Sequence, residues 1–157
     1  MTNNDIIRRV RYVFDFNDLE MIALFKLANH DVKKSDVIDW LRKEEDPASV
    51  EITDRELAIF LNGLIIDKRG KREGPQPVPE DPLSNNMILR KLKIALDLKS
   101  DDILDLFDSI GKGISKHELS AFFRSSEHRS YRPFLDQYLR NFLTALQTKC
   151  KSSLDNK

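Results

Sequence analysis

The chain has 157 residues with 26 basic and 26 acidic side chains, so its formal net charge is zero. This length favours one globular unit or two small ones, and 40% hydrophobic with 33% charged residues argues against wholesale disorder. Five glycines and one cysteine exclude a collagen-like chain and a disulfide scaffold. Residues 1–5 do not have the apolar region of a signal peptide, and no apolar run approaches the roughly 18 residues of a membrane helix, so we expect a cytoplasmic protein.

Residues 1–68 predict four helices in succession and no strand. Apolar residues recur at three- and four-residue spacing in each segment, as in an amphipathic helix. The third predicted helix contains Trp40, the only tryptophan of the chain. The predicted helix boundaries are an N-cap at Asn3 or Asn4 for the first, the capping boxes Asn17–Glu20 for the second and Thr53–Glu56 for the fourth, and Gly70 at the end of the fourth.

The chain also contains an internal repeat. A shift of 82 residues aligns residues 3–67 with 85–149 without a gap and with 15 identities in 65 positions. The pair Asn3-Asn4 falls on Asn85-Asn86, and a third capping box, Ser115–Glu118, starts the third helix of the second copy. We therefore predict two homologous four-helix repeats. Equivalent buried positions should be Trp40 with Phe122 and Leu61 with Leu143.

Four of the six prolines lie between the two copies, at positions 75, 77, 79 and 82. Proline lacks a backbone N–H and restricts the residue before it, so neither a helix nor a central strand is expected there. The sequence thus predicts an all-α protein with approximate two-fold symmetry. Its predicted parts are helical repeat 1 (1–68), a proline-rich linker (69–84), helical repeat 2 (85–150) and a polar C-terminal tail (151–157).

Particular phrases carry a resemblance to a known family. They are Trp40-Leu41-Arg42-Lys43-Glu44, and Phe60-Leu61-Asn62-Gly63-Leu64-Ile65 followed by Lys68-Arg69-Gly70-Lys71. Together with the duplication and the linker, they make the chain resemble the bacterial YehS family, small proteins built from a tandem domain of unknown function. The resemblance covers all but the polar tail. It implies a cytoplasmic bacterial protein, and it implies no reaction and no catalytic residue.

The sequence contains few groups suited to catalysis. Cys150 is the only thiol and has no histidine or acid beside it, so an incidental cysteine is the simpler interpretation. His30, His117 and His128 lack the paired spacing of a zinc site and are typical of turns. The aspartates at 101, 102, 105 and 108 are typical of a solvated helix face. We therefore expect no catalytic residue, no metal site and no cofactor.

Two basic clusters are the main candidates for a binding site. One recurs in the first helix of both copies, where exposed cations oppose the helix dipole at a cost of about 0.3–1 kcal/mol. A phosphate or an acidic partner could offset that cost, as could the local i,i+4 pairs Arg11–Asp15 and Lys93–Asp97. If the protein binds DNA through its repeats, reversing Arg8 and Arg90 to Glu should abolish binding and leave the melting temperature nearly unchanged. The candidate partner- or phosphate-binding residues are Arg8, Arg9, Arg11, Arg90, Lys91 and Lys93, with Lys68, Arg69, Lys71 and Arg72.

The segment joining the second and third helices suggests a different function. Gly113-Ile114-Ser115 followed by Glu118, Leu119 and Phe122 is similar in spacing to the helix–turn–helix of DNA-binding proteins. The first copy lacks the turn glycine, and its third helix carries two aspartates. The zero net charge also withholds a general attraction to phosphates.

The two copies are oppositely charged. Residues 1–68 hold 10 basic and 14 acidic side chains, whereas residues 85–157 hold 13 and 9. Complementary charge favours packing of the copies on each other, or self-association of chains. The leading hypothesis is a non-catalytic binding or adaptor protein of the bacterial cytoplasm with a protein partner and no membrane contact. The alternative is a DNA-binding or regulatory protein with tandem helix–turn–helix-like repeats.

Overall fold

A computed structural model describes residues 1–155, and the side chains of residues 1–150. The described residues form eight α-helices and no β-strand, so the all-helical fold predicted from the sequence is confirmed. The chain divides into two compact units, Met1–Leu83 and a second that begins at Ser84. The helices are α1 (Asn3–Phe14), α2 (Asp18–Leu27), α3 (Lys34–Leu41), α4 (Asp54–Arg69), α5 (Asn85–Ala95), α6 (Ser100–Ser109), α7 (Lys116–Phe122) and α8 (Asp136–Asp155).

The two units contain the same helices in the same order. Each helix of the second unit starts 82 residues after its counterpart in the first. The turns match as well: Asp15 and Asp97 both have a left-handed backbone, with φ of 54° and 52°, and so do Asn29 and Gly111. Trp40, Phe122, Leu61 and Leu143 are all buried, as predicted. The internal duplication is therefore confirmed.

Three predicted capping boxes are present. The side chains of Asn17, Thr53 and Ser115 each accept a hydrogen bond from the backbone N–H three residues later. The glutamates at 20, 56 and 118 accept one from the backbone N–H of the cap. Gly70 ends α4 with φ of 87°, as predicted. These local bonds satisfy donors that a helix start leaves free.

The predicted N-cap of α1 at Asn3 or Asn4 is wrong. Thr2 caps this helix, since its hydroxyl accepts from the backbone N–H of Asp5 at 3.1 Å. Ser84 is the equivalent cap of α5. The cap lies one residue earlier because both asparagines are committed to bonds with distant segments.

Asn4 joins three segments of the first repeat. Its Nδ2 donates to the carbonyl of Trp40 at 3.0 Å and to that of Val50 at 2.7 Å. Its Oδ1 accepts from the backbone N–H of Ile52 at 3.1 Å. Asn3 donates to the carboxylate of Asp54 at 2.7 Å. One end of α1 is thereby tied to the end of α3, the following loop and the start of α4.

Asn86 makes the same bonds in the second repeat. Its Nδ2 donates to the carbonyls of Phe122 and Arg132 at 3.0 and 2.9 Å, and its Oδ1 accepts from the N–H of Phe134 at 2.9 Å. Asn85 donates to Asp136 at 2.7 Å, as Asn3 does to Asp54. The shared Asn-Asn pair is thus explained by a tertiary bonding pattern that each repeat needs.

Aromatic side chains fill the two cores differently. In the first repeat Phe25 lies 5.4 Å from both Trp40 and Phe60, measured between ring centroids. In the second, Phe122 replaces the tryptophan and contacts Phe134 at 5.0 Å. Phe134 stands where the first repeat has an isoleucine at 52. Phe134 is larger than Ile52, and it compensates for the volume lost where Phe122 replaces Trp40. This compensation keeps the packing of the core dense.

Gly63 allows α2 and α4 to approach closely. A Cβ atom at this position would overlap the carbonyl oxygen of Leu24 on α2. The equivalent residue of the second repeat is Ala145, which is 1% exposed. The close approach of α2 and α4 therefore needs a residue without a Cβ atom, whereas the equivalent pair, α6 and α8, accommodates the Cβ of Ala145.

The proline-rich residues after Gly70 form no helix or strand and belong to the first unit. They end at Leu83, whose backbone N–H donates to the carboxylate of Asp54 at 2.9 Å. At the other terminus, the polar tail predicted for 151–157 overlaps the last turn of α8, which ends at Asp155. The final two residues of that predicted tail lie outside the described residues.

Replacement of Gly63 by alanine tests the close approach of α2 and α4. Helix propensity alone would stabilise the variant by about 1 kcal/mol. The overlap with Leu24 instead predicts a loss of about 1–3 kcal/mol. Urea unfolding followed by Trp40 fluorescence measures the first repeat, which holds the only tryptophan. A gain in the free energy of unfolding would contradict the packing described here.

Replacement of Asn4 by alanine tests the asparagine bonding pattern. It leaves two carbonyls and one N–H without their partner, so we expect a loss of about 2–4 kcal/mol in the free energy of unfolding. Asn17→Ala is the matched control because it removes a single exposed cap, worth about 1 kcal/mol. Equal losses in the two variants, measured by the same fluorescence assay, would show that Asn4 contributes no more than a local cap.

Candidate functional site

The repeated arginine of the first helix has a structural contact in each repeat. A terminal nitrogen of Arg8 donates to the carbonyl of Arg42 at 2.6 Å, just past the end of α3. In the second repeat Arg90 donates to the carbonyl of Phe123 at 2.8 Å, and its guanidinium lies 5.6 Å from the centre of that ring. An arginine recurs at this position because it binds a backbone carbonyl that the end of the third helix of its repeat, α3 or α7, leaves without a partner.

Arg8 also pairs with the carboxylate of Asp5. Burial raises the pKa of Asp5, but hydrogen bonds from the backbone and hydroxyl of Thr2 and from Arg8 lower it further, so the net pKa lies below its ordinary value. The ionised form is therefore favoured in the folded chain. Its contribution to stability is present above the ordinary carboxyl pKa and is lost as the pH falls through the lowered one.

The other cations of the first helices have separate surroundings. Arg11 pairs with Asp18 at 3.6 Å, across the turn to α2. Lys93 lies 5.9 Å from the ring of Phe123. Lys91 is 6% exposed. Arg9 is half-buried on the same helix as Arg11. The surroundings of these residues differ, and their role in binding a partner or a phosphate stays a prediction.

The second basic cluster lies at the end of α4 and beyond it. The ammonium of Lys68 lies 5.2 and 5.9 Å from the rings of Phe14 and Phe16, which are stacked on each other. Arg69 and Lys71 are exposed. Arg72 is exposed too, but it also lines a pocket. Of the ten cations predicted from the sequence, Arg72 alone lines that pocket.

In the helix–turn–helix-like segment of the first repeat, the aspartates have partners, whereas Lys33 and Lys34 are exposed. Asp36 accepts the backbone N–H of Lys33, and Asp39 pairs with Arg42 at 3.0 Å. In the second repeat Lys116 and Arg124 are exposed beside α7. The acidic residues that argued against a reading helix are therefore occupied within the fold.

The predicted turn histidines differ in exposure. His117 and His128 are exposed, and Nδ1 of His128 accepts the backbone N–H of Ser130 at 3.0 Å. His30 is half-buried, with its ring 6.1 Å from that of Phe25. Cys150 is a half-buried free thiol. Over residues 1–155, no three His, Cys, Asp or Glu side chains are grouped so as to hold a metal ion.

A pocket of about 210 Å³ lies between α2, α4 and the proline-rich residues of the first repeat. We call it the first-repeat pocket. Its walls are mainly apolar: Leu27 at the end of α2, Ile59, Ile65 and Ile66 on α4, and Pro77 and Pro79. Successive turns of α4 place these isoleucines on one side of the helix, and the prolines cover that side because their segment folds back along it. His30, Arg55, Arg72 and Gln76 add polar groups.

The second repeat does not preserve this apolar surface. Where the first repeat has apolar residues around the pocket, the second has polar ones at the equivalent positions. The equivalent pairs are Leu27 and Ser109, Ile59 and Asn141, Ile65 and Gln147, and Ile66 and Thr148. The duplicated cores are alike, whereas this surface has diverged. The sequence search for charges and motifs missed the pocket, although comparing the two copies position by position reveals it.

The charge of the pocket is opposite to that of its repeat. Arg55 and Arg72 line it, and no aspartate or glutamate does. Residues 1–68 nevertheless carry four more acidic than basic side chains. Among the described residues, neither guanidinium has an ion pair or a hydrogen bond. The pocket therefore combines an apolar interior with two available cations.

The helices and their bonding patterns define a protein of two homologous all-helical repeats. Residues 3–70 and 85–151 each match the family described as "Protein of unknown function (DUF1456)". The chain belongs to this family. The two matched ranges coincide with the two repeats of the structure, so the family unit is one set of four helices.

The chain is similar to "Uncharacterized protein YehS" of Escherichia coli (strain K12). The two are 39% identical over 150 residues, which cover 95% of this chain and 96% of the relative. The resemblance stated from the sequence is thereby confirmed. No solved structure matches the chain. In the described part of the chain, no helix combines the length and apolarity needed to cross a membrane.

The bonds of Arg8 and Arg90 change the expectation for their reversal. Arg8→Glu with Arg90→Glu removes a donor to a carbonyl in each repeat and places a carboxylate beside Asp5 in the first. We now expect the melting temperature to fall, with a loss of about 1–2 kcal/mol per repeat. Lys34→Glu is the control, since Lys34 is exposed and its substitution should be nearly neutral. Differential scanning calorimetry showing no difference between the two variants would restore the view of Arg8 and Arg90 as free surface cations.

Proposed function

We propose that this protein is a non-catalytic binding or adaptor protein of the bacterial cytoplasm that binds a protein partner at the first-repeat pocket. The observation that carries the proposal is the divergence of this surface between duplicated copies. An apolar, partly open pocket with two available cations is retained in one repeat, while its counterpart is polar. Concave apolar sites with a few polar groups are the usual places where proteins bind ligands.

The surroundings of the pocket favour a protein as the partner. Val78 lies between the two lining prolines and is 83% exposed, and Leu27 on the opposite wall is 39% exposed. Exposed apolar side chains around a pocket are typical of protein interaction surfaces. The proline-rich residues have little conformational freedom to lose, so binding to them costs less ordering entropy than binding to a flexible loop.

The alternative is a DNA-binding protein. Its support is the exposed Lys116 and Arg124 at α7, together with the position of α7 after a short turn. Binding of this kind would weaken by roughly 0.9 log units per phosphate contact for each decade of salt. Retention of duplex DNA near 150 mM salt, lost in a Lys116→Glu and Arg124→Glu double variant, would favour this alternative over the pocket.

The proposal is tested by giving the first repeat the residues of the second. The variant Ile65→Gln with Ile66→Thr copies Gln147 and Thr148 onto half-buried positions, so it should fold. After cross-linking in bacterial lysate, we expect proteins captured by the wild-type chain to be lost from this variant. Leu19→Gln is the control: it removes a side chain that is 70% exposed and does not line the pocket. The same proteins captured by all three chains, or none by the wild type, would refute a partner at the pocket.

A further inference from the structure

We propose that the first-repeat pocket binds the C-terminal residue of a partner polypeptide, with an apolar side chain inside and the free carboxylate at Arg72. This deepens the proposed function by naming the part of the partner that is bound. Three properties of the pocket lead to it: its volume, its charge and an acceptor that has no donor. Each matches one group of an apolar C-terminal residue.

The volume suits one side chain. A cavity of about 150 Å³ lined by apolar residues holds benzene. A pocket of about 210 Å³ therefore has room for the phenyl group of Phe or the isobutyl group of Leu. It is smaller than the 300–1,000 Å³ or so of sites for drug-sized molecules. Its apolar walls give such a side chain the favourable transfer from water.

The charge suits a single carboxylate. Arg72 lines the pocket beside Gln76, whose side chain donates to the Arg72 carbonyl. Arg55 lines it from the first turn of α4, about 20 Å away along the helix axis, so the carboxylate is assigned to Arg72 alone. The planar guanidinium binds carboxylates through paired N–H donors. Because no acidic side chain lines the pocket, a carboxylate at Arg72 meets a cation and no like charge within it.

The third property is a buried acceptor on Gln76, which also lines the pocket. Its Nε2 donates to the carbonyls of Arg72 and Gly74 at 2.9 and 3.2 Å, and these two acceptors determine which end of the amide is nitrogen. Its Oε1 is shielded from solvent and has no hydrogen-bond partner among the described residues. Most buried side-chain acceptors in proteins bind a donor. The backbone N–H of a C-terminal residue supplies one, whereas a simple aliphatic or aromatic acid does not.

Fluorescence anisotropy with defined peptides tests the inference. The probes are N-terminally labelled Gly-Ser-Gly-Ser-Leu with a free carboxylate, the same peptide as its C-terminal amide, and a free-carboxylate peptide ending in Lys. We expect the first to bind and the other two to bind at least about 10-fold more weakly, since each loses either the charged or the apolar contact. Equal binding of the carboxylate and the amide would overturn the inference, as would no binding of peptides ending in Leu, Phe or Ile at millimolar concentration.

Variants locate the binding. Arg72→Gln removes the guanidinium assigned to the carboxylate, and we expect it to weaken the Leu peptide about 10-fold while keeping the residual preference for Leu over Lys. Lys71→Gln removes a cation of the same segment that does not line the pocket, and binding should stay within about twofold. Thermal melts establish that each variant is folded. Equal weakening by both variants would indicate general attraction to positive charge and would refute the assigned site.

The outcome is separable from that of the proposed function. If the pocket variant Ile65→Gln with Ile66→Thr loses its captured partner while carboxylate and amide peptides bind alike, the pocket binds a protein but not through a chain terminus. If the carboxylate peptide binds in the pocket while partner capture does not depend on it, the ligand chemistry stands and the adaptor function fails. Phenyl phosphate competing better than N-acetyl-leucine would assign Arg72 to a phosphate and overturn the carboxylate.

Discussion

The structure of each repeat depends on one asparagine of its first helix, which is buried in the first repeat and half-buried in the second. Asn4 and Asn86 each donate twice and accept once, with equivalent distances that differ by 0.2 Å or less between the repeats. In a low-dielectric interior such a set must be complete, because any unpaired member carries its full desolvation cost. These bonds therefore determine the rotation of the first helix about its own axis and its position along that axis relative to the other segments. Arg8 and Arg90 lie four residues further on, on the same side of the helix, where they meet the carbonyls after the third helix.

Beyond that constraint the two repeats have diverged in ways that packing explains. The tryptophan of the first core is a phenylalanine in the second, and a neighbouring isoleucine has become phenylalanine, so the core volume is redistributed. Gly63 in the first repeat and Ala145 in the second indicate that the distance between the second and fourth helices differs between the repeats. These exchanges keep the helices in place. Duplication followed by such compensated change leaves the fold intact and the surfaces free to differ.

The first-repeat pocket is the clearest surface difference. The proline-rich residues return to the first repeat, where the N–H of Leu83 binds Asp54, and Pro77 and Pro79 form a wall against the isoleucines of α4. Their restricted backbone turns an apolar helix face into a concave site without a further helix. The face of α8 equivalent to the apolar face of α4 carries polar residues instead. The cores of the two repeats are alike but this surface is not, so the candidate function is assigned to the first repeat.

The helices, three of the capping boxes and the duplication are predictable from the residue pattern alone, because helical periodicity and caps act within a few residues and the repeat has a constant offset. The same pattern predicted the wrong cap for α1, since a nearby polar residue is the simplest partner when only local bonds are visible. The bonds of Asn4 reach residues 36 to 48 positions away, and no local pattern marks them. The same holds for the contact of Arg8 and for a pocket assembled from α2, α4 and the proline-rich residues. Only the tertiary structure decided these features, because they exist only once packing brings distant segments within bonding distance.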